Sequence, residues 1–180
     1  CINSEVFFTS EMVDEIRHQI GLYCKLRFTE DELSYLHSIK WMKGSYVDFL
    51  RLWEPRFEDF TISTDSPCGL AIETRGTWLN TSMYEIPTLA IVNEVYYAMS
   101  YDKESLMESF KDNLRVKINA LTSGKYNLES FSEFGISRRL SSEAEELVVD
   151  TLRRSVFPGS KFAGTSNVYL AKKLGISPIG

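Results

Sequence analysis

The chain reads as an α/β protein in two parts: a mixed α+β domain over residues 1–124, then at 125–180 the first units of a parallel α/β barrel or sheet. Three observations predict this. From Phe131 onward the signals alternate strand, helix, strand, helix, strand. Consecutive strands with a helix between them run parallel, joined by right-handed crossovers. Upstream, three amphipathic helical stretches give way between Phe60 and Thr74 to a period of two, the mark of an antiparallel hairpin. Finally, about 55 residues follow the expected linker, whereas a closed barrel takes about 250. The barrel is therefore expected to be incomplete. The chain starts on Cys1 and stops on Gly180 within an expected strand, so it is expected to be a piece of a longer protein.

The elements follow in order. Cys1 to Phe8 suggests a short edge strand. From Glu11 to Leu26, Met12, Ile16, Ile20 and Cys24 recur on one helical face. Thr29 and Glu32 form a capping box opening a second helix, with Leu33 and Leu36 inward. A third helix is expected over Ser45 to Trp53, burying Val47, Phe49 and Leu50. Phe60 and Ile62, then Leu70, Ile72 and Thr74 beyond the Thr64–Pro67 turn, make the hairpin, ended by Gly76. Trp78 to Met99 is the most apolar stretch. Pro87 suits a helix there if it lies in the first turn. Leu89, Val92, Tyr96 and Met99, widened by Ile91 and Val95, would then form the buried face of a helix joining the two parts. Lys103 to Leu121 is amphipathic through Leu106, Phe110, Leu114 and Ile118, and Thr122-Ser123-Gly124-Lys125 is the expected linker.

The C-terminal stretch holds the candidate site. Phe131 to Phe134 is strand-like and Gly135 ends it. Ser142 and Glu145 read as a capping box for a helix whose face is Leu147, Val148, Thr151 and Leu152. After Pro158-Gly159, Lys161 to Ala163 forms a second strand. Gly164-Thr165-Ser166-Asn167 opens a helix over Val168 to Leu174, and Gly175 stops it. Ser177 to Gly180 begins a third strand. The turns after the first two strands then share one rim, where such folds build their sites. Residues 134–139 and 164–167 should face each other there.

Composition narrows the classes. A net charge of −5 and a pI of about 5.2 argue against general nucleic-acid binding. Basic residues pair at Arg138 and Arg139 and at Lys172 and Lys173. Cys1, Cys24 and Cys68 are odd in number and lack CxxC spacing, which suggests reduced thiols in a cytoplasmic protein rather than a disulfide frame or a zinc site. With only His18 and His37 present, no histidine-based metal site is expected. No apolar run approaches the length of a membrane span.

The pieces YEIPTLAIVNE, EFGISRR, AGTSN and LAKKLGISPIG, in that order and spacing, resemble the nicotinate phosphoribosyltransferase family. The resemblance covers nearly the whole chain and is strongest after Trp78. It implies an irregular α/β barrel of the type II phosphoribosyltransferase kind behind an N-terminal domain. It implies a homodimer with shared active sites, and transfer of phosphoribosyl from phosphoribosyl pyrophosphate to nicotinate with coupled ATP hydrolysis and Mg²⁺. The family's phosphorylated histidine is expected beyond Gly180, so this piece alone is expected to be inactive.

The family's Phe-Gly-Thr-Arg-Arg-Arg motif aligns with Phe134 to Arg139, and its Gly-Thr-Ser-Asn with Gly164 to Asn167. By that resemblance Phe134 stacks on the pyridine ring, as a flat heterocycle allows. Its other reading is a core residue closing a strand. Arg138 and Arg139 offer guanidinium forks to phosphate or carboxylate, or form a solvated pair. Ser137 departs from the motif, replacing an arginine with a neutral hydroxyl. Gly164, Thr165, Ser166 and Asn167 are placed to point backbone N–H groups at an anion, or serve as plain N-caps. Nicotinamide-using relatives carry an aspartate where Ser166 stands, and a hydroxyl suits a carboxylate better, which favours nicotinate. A quinolinate or nicotinamide enzyme of the same fold, or a non-catalytic binding protein that kept it, remain the alternatives.

Overall fold

A computed structural model describes residues 7–66, 68–126, 129–157 and 159–179. Its contacts divide the chain into two compact units, Cys1–Ile91 and Val92–Gly180.

The first unit begins with three helices. Helix α1 (Ser10–Tyr23) is capped by Thr9, whose hydroxyl accepts from Met12 N, and it buries Met12, Val13, Ile16 and Ile20. Helix α2 (Glu30–Ser38) opens on the expected Thr29/Glu32 capping box and buries Leu33 and Leu36. Helix α3 (Gly44–Leu52) buries Val47 and Leu50, and starts at Gly44 without a side-chain cap. Trp53 follows, buried, with Tyr23, Phe28 and Tyr84 tilted around it at ring distances of 6.0–6.4 Å. Strands β1 (Phe60–Ser63) and β2 (Ala71–Thr74) form the antiparallel hairpin, with Ile62 opposite Ile72. The edge strand expected over Cys1 to Phe8 lies outside the described residues up to position 6, and Phe7 and Phe8 are not in a strand.

Cys68 is disulfide-bonded, which corrects the expectation of three reduced thiols; Cys24 is a free, buried thiol. A count of cysteines carries no information about pairing made by the fold. Phe8 N–H donates to Cys68 O at 3.0 Å, so the start of the described chain lies against the turn that carries Cys68.

Helix α4 (Trp78–Ser100) differs from expectation twice. It begins well before Pro87, which therefore sits inside it rather than in its first turn. Proline there removes an N–H and orphans the carbonyl of Met83. The Tyr23 hydroxyl supplies the missing donor, 3.2 Å from Met83 O. The buried face also differs in part from expectation. Val95 is buried as expected, and Tyr84, Thr88 and Ala90 are buried as well, while Leu89 and Met99, from the expected inward face, are exposed. The stretch is apolar on most sides, so periodicity could not choose a face. Thr88 is buried at low cost because its hydroxyl donates to Tyr84 O at 2.6 Å.

The second unit takes the last turns of α4, then α5 (Lys103–Thr122), capped by Asp102. The turn at 123–125 lies within this unit, with Gly124 in the left-handed region. Strand β3 (Ser130–Glu133) runs parallel to β4 (Lys161–Thr165), with a register shift between Phe131 and Ser132. Helix α6 (Ser142–Arg154) crosses between them and buries Ala144, Glu145, Val149 and Leu152. Phe131 meets Phe157 edge-on and Phe162 at a tilt, 4.8 and 5.6 Å between rings. Helix α7 (Val168–Leu174) ends on Gly175 in the left-handed conformation. Beyond it Pro178 bridges Thr165 in parallel, so a third strand position begins where expected. None of the helices among the described residues is long and apolar enough to cross a membrane.

Candidate functional site

The parallel pairing of β3 and β4 brings the turns at their C-terminal ends together. Ser166 N–H donates to Glu133 O at 2.9 Å, and Thr165 Oγ1 donates to Glu133 Oε2 at 2.6 Å. The carboxylate of Glu133 also takes the Gly135 N–H. A side chain at Gly135 would crowd that carboxylate. Glu133 is buried, and these donors compensate its charge. The rim expected from chain order is therefore present, held at its base by a glutamate that sequence reading passed over. Its only signal was an acidic residue at the end of a strand-like segment, between Ser132 and Phe134.

Beyond Gly135 a short 3₁₀ turn, Ile136–Arg138, closes on an Arg138 N–H to Gly135 O bond of 2.9 Å. The Ser137 carbonyl accepts from Asn93 Nδ2 on α4 at 2.8 Å. Phe134 is 53% exposed, so it is not a core residue closing the strand. Arg138 is exposed and makes no side-chain hydrogen bond or ion pair among the described residues. Arg139 is occupied: its Nε lies 2.5 Å from Glu94 Oε1 and its Nη1 3.1 Å from Glu145 Oε2. Glu94, on α4, and Glu145, on α6, could not be named as its partners from sequence.

The Gly164–Asn167 turn is likewise engaged for the most part. Gly164 has φ 147°, and a Cβ there would collide with the Ser177 carbonyl oxygen, so glycine is required where the next chain segment crosses. Thr165 is fully buried; its N–H reaches Ser177 O and its hydroxyl accepts from Asn167 N at 3.0 Å. Asn167 caps α7 by accepting from Leu170 N at 3.1 Å, while its Nδ2 donates to Glu145 Oε1 at 2.9 Å. The N–H groups of Thr165, Ser166 and Asn167 thus all have protein acceptors, which corrects the expectation that they point free at an anion. One polar atom is left over. Ser166 Oγ is buried without a hydrogen-bond partner among the described residues.

The candidates therefore sort by geometry. Among the described residues, Phe134, Arg138 and Ser166 present an exposed ring, an unpaired cation and an unsatisfied hydroxyl. Gly164, Thr165, Asn167 and Arg139 are committed to holding the turns.

Comparison with known proteins agrees along the chain. The profile of the nicotinate phosphoribosyltransferase N-terminal domain matches residues 3–93, and that of the nicotinate phosphoribosyltransferase family matches residues 130–180. The nicotinate phosphoribosyltransferase of Burkholderia mallei is 38% identical over 171 residues, 93% of this chain and 42% of its own length. That of Xanthomonas euvesicatoria is 35% identical over 173 residues, 95% of this chain and 43% of its own. The crystal structure of the Porphyromonas gingivalis nicotinate phosphoribosyltransferase superposes with a TM-score of 0.81 at 30% identity, covering 97% of this chain and 43% of that one. The chain spans less than half the length of these relatives. With two profiles matching in sequence order and the fold shared at this identity, the chain belongs to the nicotinate phosphoribosyltransferase family.

Proposed function

We propose that a protein built on this chain joins nicotinate to phosphoribosyl pyrophosphate, forming nicotinate mononucleotide and releasing pyrophosphate, in the salvage route to NAD. The pyridine nitrogen forms the new bond to the ribose anomeric carbon as the bond to pyrophosphate breaks. The observation that supports this reading best is Ser166 Oγ, buried and without a partner. An unsatisfied buried hydroxyl is costly, and a bound carboxylate oxygen would accept its proton. On the same rim the exposed ring of Phe134 stacks on the pyridine, and the unpaired guanidinium of Arg138 supplies the charge that Ser137 lacks. Gly164, Thr165, Asn167 and Arg139 shape the two turns rather than touch the ring. Their contribution to rate is orientation of the bound pyridine.

The same proposal includes ATP hydrolysis coupled to the transfer, Mg²⁺, a homodimer with shared sites and a cytoplasmic setting, each carried by family membership. Among the described residues no three His, Cys, Asp or Glu side chains form a group that could hold a metal. This part of the chain does not fit a Mg²⁺ cage, and Mg²⁺ commonly rides on substrate phosphates instead.

The test is product formation by the full-length protein given phosphoribosyl pyrophosphate, Mg²⁺, ATP and either nicotinate or nicotinamide. Turnover of nicotinate, stimulated by ATP, is expected. Ser166→Asp should lower kcat/KM for nicotinate by about tenfold or more and favour nicotinamide, because a second carboxylate faces the first. A folded protein that turns over neither pyridine would overturn the assignment.

A further inference from the structure

We infer that Glu145 is a positioning residue for this site, setting the spacing between the turn that carries Arg138 and the turn that carries Ser166. The inference rests on the proposed reading of those two residues.

Glu145 was expected to cap its own helix, paired with Ser142. It does not. The N-cap is Ser141, whose hydroxyl accepts from Ala144 N at 3.1 Å. Glu145 is thereby released from any capping duty and is turned inward, 4% exposed. A buried carboxylate must find donors, and this one finds one for each oxygen. Oε2 takes Arg139 Nη1 at 3.1 Å, and Oε1 takes Asn167 Nδ2 at 2.9 Å. Both bonds extend outward. Arg139 continues to Glu94 on α4 at 2.5 Å, and Asn167 continues to Leu170 N at the start of α7 at 3.1 Å.

One string of polar contacts thus runs from α4 through the turn after β3, the first turn of α6 and the turn after β4 into α7. Glu145 is its midpoint, the side chain bonded to both turns at their far ends, as Glu133 is at their near ends. Each proposed substrate contact sits one residue before an anchored one: Arg138 before Arg139, and Ser166 before Asn167. A clamp on the second member of each pair fixes the separation of the first members. Neither Arg139 nor Glu145 needs to touch substrate for this.

Glutamine is nearly isosteric at position 145 but carries one acceptor and one donor. Its oxygen can keep the Asn167 bond while its amide opposes the Arg139 guanidinium, so one half of the clamp opens. In the full-length protein, Glu145→Gln should raise KM for nicotinate about tenfold with kcat within about threefold, the pattern of lost binding. In an Arg139→Gln background Glu145→Gln should raise KM no further, since the link is already broken. Arg139→Lys, which leaves the Asn167 bond in place, gives the same reading should Glu145→Gln not fold. A lowered melting temperature with KM unchanged, or additive effects in the double variant, would overturn the inference and reduce Glu145 to support for the fold. Hydrogen exchange separates this from the proposed function. If the wild type proves inactive with nicotinate, faster exchange of the Arg138, Ser166 and Asn167 amides in Glu145→Gln still sustains the clamp, and unchanged exchange removes it.

Discussion

Tyr84 has no exposed surface, and its hydroxyl donates to Asp59 Oδ2 at 2.8 Å. Asp59, also buried, accepts in addition from Arg56 Nη2 at 2.9 Å. Burial first, and then the bond to the Asp59 carboxylate, push the Tyr84 phenol up to about 12. The neutral phenol is the form the fold prefers, so above the ordinary value of about 10 the folded chain holds a proton that the unfolded chain has lost. Its contribution to stability is complete below about pH 10 and disappears as pH rises toward about 12. Tyr84→Phe should cost about 1–3 kcal/mol at neutral pH, because Asp59 loses a buried donor. Denaturant unfolding measures this. The variant should also lose less stability than the wild type between about pH 10 and 12, and equal losses would remove Tyr84 from the account. Tyr84 was not singled out in the sequence, since nothing local distinguishes a tyrosine that meets an aspartate in the short 3₁₀ turn ahead of β1. The same limit hid Glu94 and Glu145 as partners of Arg139, whereas Phe134, Arg138 and Ser166 were named from the family resemblance, and chain order gave only that their two turns share one rim.

At the scale of the element, α4 makes the sharpest test. Pro87 leaves Met83 O without its helical donor, and Tyr23 provides one. Tyr23→Phe should therefore destabilise the chain by about 1 kcal/mol. In a Pro87→Ala background residue 87 regains an N–H, and the cost of Tyr23→Phe should shrink toward zero. Urea midpoints of the four variants give the coupling, and additive losses would mean that Tyr23 acts through packing alone. Capped helices with one apolar face, α1 and α2, were legible at their starts and in their buried residues, and α7, bounded by Asn167 and Gly175, at both ends. Helix α4 was not, because a segment apolar on most sides specifies neither its start nor its buried face. The N-cap of α6 shifted by one residue for a related reason: Ser141 and Ser142 are both good caps, and only the inward turn of Glu145 decides between them.

At the scale of the whole molecule, the contact division after Ile91 puts Trp41, Trp53 and Trp78 in the first unit and leaves the second without tryptophan. Tryptophan emission therefore follows the first unit alone, while far-ultraviolet circular dichroism follows both. The two unfolding curves should separate in denaturant, since a chain of two compact units departs from two-state behaviour. Coincident curves would show that the units melt as one. The expected boundary at residue 124 rested on a polar, glycine-bearing turn, which marks a break in local structure. The contact division instead falls within helix α4.

Gly164 carries a consequence for how relatives are compared. Its φ and its closeness to the Ser177 carbonyl require glycine wherever this strand and the following segment meet, whatever the protein binds. Selection on sheet closure alone would preserve it in lineages that had changed substrate or lost catalysis. Under the proposed reading, position 166 is free to record such a change, because its hydroxyl has no hydrogen-bond partner among the described residues. Within one short motif, the glycine traces ancestry and the serine traces diet.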